Sequence, residues 1–502
     1  LLCICLFALA VIHCREGKDL AYPRDSTITV LAPGDERLLM PFVLAPSQFL
    51  VFLPLLTMNE NWEPEGRLAK SWEHSPDYRT WTYHLRTDVR WHDGVPVTAH
   101  DVKFTLELLT HPDVAYYRAG DMSITVLDDA TITVRYAGSH ILPDWWTVYY
   151  PKHLLKDLDP KEISNWEFWT RPVGSGPYRY VRHVPKTMMA FEANSDYYRG
   201  KPKIERVVLK FGEPSLPELL SGNVDVMAGN PIQIPNMVAD PRFRVYYEII
   251  GAHARAIFWQ NAHPFFRDPR VRRALTLAIN RRELLQVVNL PENTPIIDGV
   301  YTDRQLRRGE LPEPLPYDPA QAQTLLEAAG WRDRDGDGVR ERNGMAFHFT
   351  AITSQLMWSG YKEMAVYVQD QLRRVGVRME VQILDTWVVW NRLMTGEYEA
   401  AFSNFRFRPR PLQQEFSKDS WTGYTNAEMV RLIDRALVTA DPDAQDRIYR
   451  ELTEIFRADM PVTLLLPRME VIFAHRRLRG LTSLWRPVPT WYMEDLWIEE
   501  EK

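Results

Sequence analysis

The stretch "RTWTYHLRTDVRWHDGVPVTAHDVKFTLELL", Arg79 to Leu109, decides how the first part of the chain is built. Trp81, Tyr83 and Leu85 alternate with Thr82 and His84, a period of two that lays one apolar face of a strand on a core. Asp93-Gly94 then supplies the positive φ that a hairpin turn needs. Thr98 stands three residues before Asp101, a capping-box variant whose acceptors can satisfy the first free amides of a helix starting near Ala99. The unit is strand, turn, short strand and helix, and its aromatics read as scaffold.

Outward from this unit the grammar changes once. On its N-terminal side, "EGKDLAYPRDST" is a polar tether and "TITVLAP" a first strand; Asp35 to Trp62 is apolar but broken by prolines, which favours short helices and loops. On its C-terminal side "TITVRY", Thr131 to Tyr136, is another alternating strand, and "RPVGSGPYRYVRH" marks a turn or a crossover between lobes. Beyond Phe258 helices and strands alternate. Asp268-Pro269 and Asp318-Pro319 each open a helix, with Asp as N-cap and Pro at the first helical position. Tyr361, Met364, Ala365, Val368 and Leu372 share one face of a longer helix ending at Gly376, and the strands "VRMEVQIL" and "EYEAAFSNF" follow. Helix, short link and strand in succession indicate an α/β lobe.

The 502 residues exceed one ordinary core, so at least two lobes are expected. With 60 Lys+Arg against 66 Asp+Glu, the net charge of −6 gives no electrostatic reason to bind nucleic acid. The cysteines are confined to Cys3, Cys5 and Cys14, so nothing downstream forms a disulfide or a thiolate metal site. The opening "LLCICLFALAVIHC" has the character of a secretory h-region. Two readings follow it: acylation of Cys14 as in a bacterial lipoprotein, or ordinary cleavage nearby; both place the folded chain outside the cytoplasm. There is no His-Glu-x-x-His, Gly-x-Ser-x-Gly or Walker loop, and the 13 His are scattered, so no enzyme class is indicated and none is expected.

"LAKSWEHSPDYRTWTYHLRTDVRWHDGVPVTAHDV", Leu68 to Val102, closely resembles the signature of the family 5 extracellular solute-binding proteins of ABC importers, which bind oligopeptides, dipeptides or nickel. The blocks "GSGPYRYVRHVPKTMMAFEANSDYYRGKPKIERVVLKF", "LLSGNVDVM", "DPRVRRALTLAINRREL", "GWRDRDGDGVRERNG" and "GYTNAEMVRLIDRAL" continue the resemblance in order, from about Thr27 to the end. It implies an α/β, two-lobed periplasmic-binding-protein-like (type II) fold with an extra subdomain in the first lobe, and a ligand closed between the lobes. The implied layout is a signal or lipoprotein-like segment over 1–14, a tether over 15–26, the first lobe over 27–62 and 171–262, its extra subdomain over 63–170, the second lobe over 263–470, and a return to the first lobe over 471–502. The implied partners are an ABC permease with its ATPase subunits and a peptide or small-molecule ligand; the chain is expected to be a monomer, tethered to the membrane if Cys14 is acylated.

In peptide-binding relatives a Trp-Gly-x-Asp-Tyr-Pro-Asp-Pro motif follows the strand corresponding to "YEAAFSNF", and its first Asp pairs with the peptide amino terminus. Here Asn404 to Pro411 reads "NFRFRPRP", with Phe407 in place of that Asp. A buried ammonium without a carboxylate is costly, which argues against free-amine peptides held in the usual way and favours anionic or carbohydrate-like ligands as an alternative. In an extended run, which Pro409 and Pro411 encourage, Arg406, Arg408 and Arg410 would project to one side as an anion site; a solvated arginine loop explains the same residues. Phe405, Phe407, Trp387 and Trp390 are candidate cleft walls or core residues. Asp333, Asp335, Asp337 and Gly338 match the first half of an EF-hand loop whose closing Glu is replaced by Gly344. A structural calcium and a plain acidic turn both fit; no other cofactor is expected.

Overall fold

A single ten-stranded sheet runs through the whole molecule in this computed structural model, which describes residues 22–32, 47–59, 63–114, 122–138, 147–230, 233–354, 360–417, 420–481 and 493–499. Its order, from one edge, is Arg378–Leu384, His348–Ser354, Ala400–Arg406, Phe243–Trp259, Val462–His475, Val226–Gly229, Thr27–Ala32, Arg206–Phe211, Met188–Ala193 and Tyr178–Val184. Parallel pairing on the second-lobe side joins His348–Ser354 to both Arg378–Leu384 and Ala400–Arg406; on the first-lobe side it joins Thr27–Ala32 to Arg206–Phe211. Phe243–Trp259 and Val462–His475, paired antiparallel at the centre, are long enough to serve both halves.

Two large cores flank these central strands. One gathers most of the buried apolar residues between Ile28 and Phe211 with Val226, Ala474, Leu478, Met493 and Leu496; the other takes Leu31 and then extends from Leu219 to Phe473. Where Val462–His475 ends in the first core, Arg477 and Asp225 make a buried bidentate pair at 2.8 and 2.9 Å, and Asp225 also accepts the Thr29 amide at 2.9 Å. A charged pair of this kind is tolerated in a core because both carboxylate oxygens and all three guanidinium nitrogens have hydrogen-bond partners.

The opening unit forms as its pattern dictates. Thr80–Leu85 lies within a separate four-stranded antiparallel sheet, with Trp81, Tyr83 and Leu85 buried. Gly94 has φ +92°, and the Trp91 amide donates to the Val95 carbonyl at 2.8 Å across the turn. The helix Ala99–Thr110 starts where Asp101 accepts the Thr98 amide at 2.8 Å; the other carboxylate oxygen accepts the Lys152 amide at 2.9 Å. In the second lobe Asp268 accepts the Arg270 amide at 2.9 Å and Asp318 the Gln321 amide at 2.8 Å, so both Asp-Pro signals open helices.

The segment "RPVGSGP" does not cross between lobes. A Cβ on Gly174 would meet the Val51 carbonyl oxygen at 1.8 Å, so the glycine lets the backbone lie against Val51 before Tyr178–Val184 forms the sheet's outer edge. The crossings are instead Phe243–Trp259 and Val462–His475. Arg378–Leu384 is likewise an edge strand, and its Ile383 is 42% exposed.

Candidate functional site

The two crossing strands fall out of register between the cores. Their pairing moves from Ile249–Met469 to Ala254–Pro467, so residues 250–253 bulge, and Pro467, which has no amide to donate, sits at the irregularity. Within the bulge Ala252 takes φ +48°, and its carbonyl accepts the Phe407 amide at 2.8 Å. A Cβ on Gly251 would come within 2.0 Å of Asp303 Oδ1, so this backbone approaches a carboxylate as only glycine allows.

A cavity of about 520 Å³ opens beside this bulge. Met58, Glu63 and Pro64 reach it from the first part of the chain, Ala252 from the crossing strand, and Tyr301 to Arg304, Arg408 and Asp446 from the second core's side. Asp446 is committed to structure: Thr302 donates to it at 2.7 Å and Arg304 Nε at 2.8 Å. Asp303 is less committed, with Arg408 3.9 Å from Oδ2 and, among the described residues, no hydrogen-bond partner for Oδ1. Burial raises the Asp303 carboxyl above the usual range, against the pull of the Arg408 and Arg307 guanidinium groups.

The strands below the cavity are charged. Burial, with Glu470 alongside, pushes Glu248 up to about 8, and Arg307 opposes the shift. His253 Nδ1 donates to the Gly251 carbonyl at 2.6 Å, and burial lowers this imidazole to about 4, helped by Arg468, Arg408 and Arg406. Glu415 is buried with no partner for Oε2 among the described residues, and burial drives its carboxyl well up although Arg406 pulls the other way.

The arginine segment is built differently from its expected form. Arg406 ends the strand Ala400–Arg406, Arg408 is an N-cap, and Pro409 to Phe416 is a helix, so the three arginines do not share one extended run. Pro409 starts the helix because its fixed φ suits the first helical position and its missing amide would have been unpaired there anyway. Of the seven residues expected at the ligand, Arg408 alone lines the cavity. Phe405 and Phe407 are fully buried: their rings lie 5.4 Å apart, and Phe405 also packs on Phe258, Phe416 and Phe456. Arg410 is exposed in the first helical turn, and Trp387, 77% exposed, and Trp390 lie on the outside of the helix Thr386–Thr395.

The acidic turn groups Asp333, Asp335 and Glu341, whose oxygens lie within 4.8 Å of one another; Asp337 is not among them. Asp337 instead accepts the Val339 amide at 2.8 Å, while Asp333 accepts those of Gly336 and Gly338 at 2.8 and 3.1 Å. These bonds hold the backbone of the turn. Cys14 lies outside the described residues. Among those residues, no helix is long and apolar enough to cross a membrane.

Asp303, Arg304 and Glu63 were not singled out by sequence reasoning, and neither was Arg255. The lone arginine in "HARAIFW", inside a strand buried on both sides, is the one signal that could have found it.

Residues 63–423 match the profile of the bacterial extracellular solute-binding proteins, family 5 Middle. The chain is 24% identical over 417 residues to the oligopeptide-binding protein AppA of Bacillus subtilis, covering 76% of this chain and 74% of that protein. The structure of that AppA with a nonapeptide superposes with a TM-score of 0.68 at 21% identity, over 94% of this chain and 99% of the other. NikA from Brucella suis, in complex with Fe(III)-EDTA, gives 0.78 at 19% identity, over 95% of this chain and 100% of the other.

Proposed function

The chain belongs to the family 5 bacterial extracellular solute-binding proteins, and from that premise we propose that it captures a peptide or similar small solute between its lobes and delivers it to a membrane permease. The observation that carries this reading is the bulged pair of crossing strands with a cavity at its side, lined from both halves of the chain. Two crossings allow the halves to rotate while each core stays packed, and a ligand that touches both halves biases that rotation toward closure. Transport chemistry then belongs to the permease and its ATPase, and this chain acts as a monomer supplying selectivity.

A second reading, an anionic non-peptide ligand, is favoured by the buried Phe407, which cannot pair with an ammonium. The relatives' ligands, a nonapeptide in one and Fe(III)-EDTA in another, show how widely chemistry varies on this fold. Native mass spectrometry of the gently purified protein decides between them. Heterogeneous short peptides support the first reading and one discrete anionic mass the second. Small-angle scattering of the same samples should show contraction on rebinding, with the ligand recovered intact. Conversion of the ligand would overturn both readings in favour of an enzyme. Tethering through an acylated Cys14 belongs to the same proposal, and metabolic labelling with palmitate tests it.

A further inference from the structure

Arg255 lies in the middle of the crossing strand Phe243–Trp259 and is 2% exposed. Its Nη2 reaches the Met469 carbonyl at 3.5 Å, the outer limit of a hydrogen bond, and among the described residues its Nε and Nη1 have no hydrogen-bond partner. The guanidinium points at the start of the helix Tyr361–Arg373: a Cβ built on Gly360 would lie 3.7 Å from Nη1. Gly360 is that helix's N-cap, at φ +102°, and has no side chain to offer the first amides. A helix start carries partial positive charge on its unpaired amides, so two positive features face each other in a buried place.

The neighbouring acid does not resolve this. Glu470 is 2.9 Å from Arg468, whose own charge adds to the positive field at Arg255. The Tyr361 hydroxyl is also spoken for, donating to Asn404 Oδ1 at 2.9 Å. Burial lowers the Arg255 pKa, yet a guanidinium remains charged under physiological conditions. A buried cation whose Nη1 faces a helix start, with no carboxylate bonded to it among the described residues, has the composition of an oxyanion receptor.

We propose that Arg255 and the amides opening the helix Tyr361–Arg373 form a closed pocket for an oxyanion group of the captured solute, a carboxylate or a phosphate ester. The inference deepens the solute-binding reading and rests on it for the statement that the anion belongs to a transported molecule. It moves anion recognition away from Arg406, Arg408 and Arg410 to a residue whose donors are held rigidly by the central sheet. A guanidinium suits either anion: Nη1, the nitrogen nearest Gly360, can donate to an oxygen that the first helix amides also bind, while the idle Nε lies on the other edge of the group.

The test uses the full chain labelled with 15N at arginine. The Arg255 Nε–H resonance is assigned by its loss in Arg255→Gln, with Arg255→Lys as a second route should the first variant fold poorly. Sodium acetate and then inorganic phosphate are titrated at constant ionic strength. A saturable downfield movement of that resonance with either anion, absent from the exposed arginines, is expected. Response to acetate alone marks a carboxylate pocket, and response to phosphate alone a phosphate pocket. An unmoved Arg255 resonance with both anions overturns the proposal. Because the titration needs no natural ligand, failure of the transport reading, seen as no solute and no lobe closure, leaves a different record from failure of the pocket.

Discussion

Arg477 and Arg255 are both arginines buried along the central strands, and the protein treats them oppositely. Arg477 closes a fork on Asp225 at 2.8 and 2.9 Å, donates to the Thr27 carbonyl at 2.8 Å, and bonds the Arg24 carbonyl as well. Arg255 is buried more completely and has one marginal contact. A core charge whose nitrogens are all hydrogen-bonded belongs to the architecture; one with two nitrogens idle is held ready for something that comes and goes. The same division separates Asp101, which accepts backbone amides on both oxygens, from Asp303, with one oxygen idle beside the cavity.

The strongest challenge to this contrast is Asp225→Ala. It strands the Arg477 guanidinium in the first core, and the expected cost is about 3–5 kcal/mol, read as a large fall in the denaturation midpoint. A loss below about 1 kcal/mol would mean that the fork contributes little and that the two arginines are not opposites. Next in size is Glu248. Its pKa is raised to about 8, so it favours the folded state while protonated, and this contribution is lost as pH rises from the ordinary carboxylate range through about 8. Wild type should therefore lose on the order of 3 kcal/mol between pH 5 and pH 8 from this group. Glu248→Gln should flatten that slope; an unchanged slope would place the loss at another group.

Arg255→Met sharpens the comparison from the other side. Replacing an uncompensated buried charge with an apolar side chain of similar length should leave the solute-free protein as stable as wild type or raise it by about 1 kcal/mol. Destabilisation comparable to Asp225→Ala would show that Arg255 is architectural after all.

The sequence made the scaffold legible where local chemistry suffices. Thr98 with Asp101, Asp268-Pro269 and Asp318-Pro319 each read correctly because a cap and its helix are neighbours along the chain. The crossing was not legible. Arg255 lies opposite Asn404 on one side and Leu466 on the other, residues far away in sequence, and the bulge that sets this register has no local signal beyond Gly251 and Pro467. The arginine segment was misread for a related reason. Pro409 and Pro411 suit an extended run and a helix start equally, and the packing of Leu412 and Phe416 on the second core selects the helix.

The smallest effect concerns contact across the lobes. Tyr78, in the turn before Thr80–Leu85 with φ +55°, stacks on His74 at 4.1 Å and donates its hydroxyl to Asp441 at 3.2 Å. Asp441 caps the helix Pro442–Asp459, accepting the Ala444 amide at 2.7 Å with its other oxygen. This bond ties the four-stranded sheet to a helix whose first residues line the cavity, so it exists only while the halves are together. Tyr78→Phe removes one such bond, about 0.7 kcal/mol, and keeps the ring stack. Neither half loses a core contact, so the melting temperature should stay within about 1 °C while the closed population of the solute-free protein falls about threefold. Single-molecule distance measurements between labels on the two halves would read this shift. An equal closed population in the variant would show that Tyr78 rests on Asp441 without holding the halves together, and that the bulged crossing strands alone set the balance.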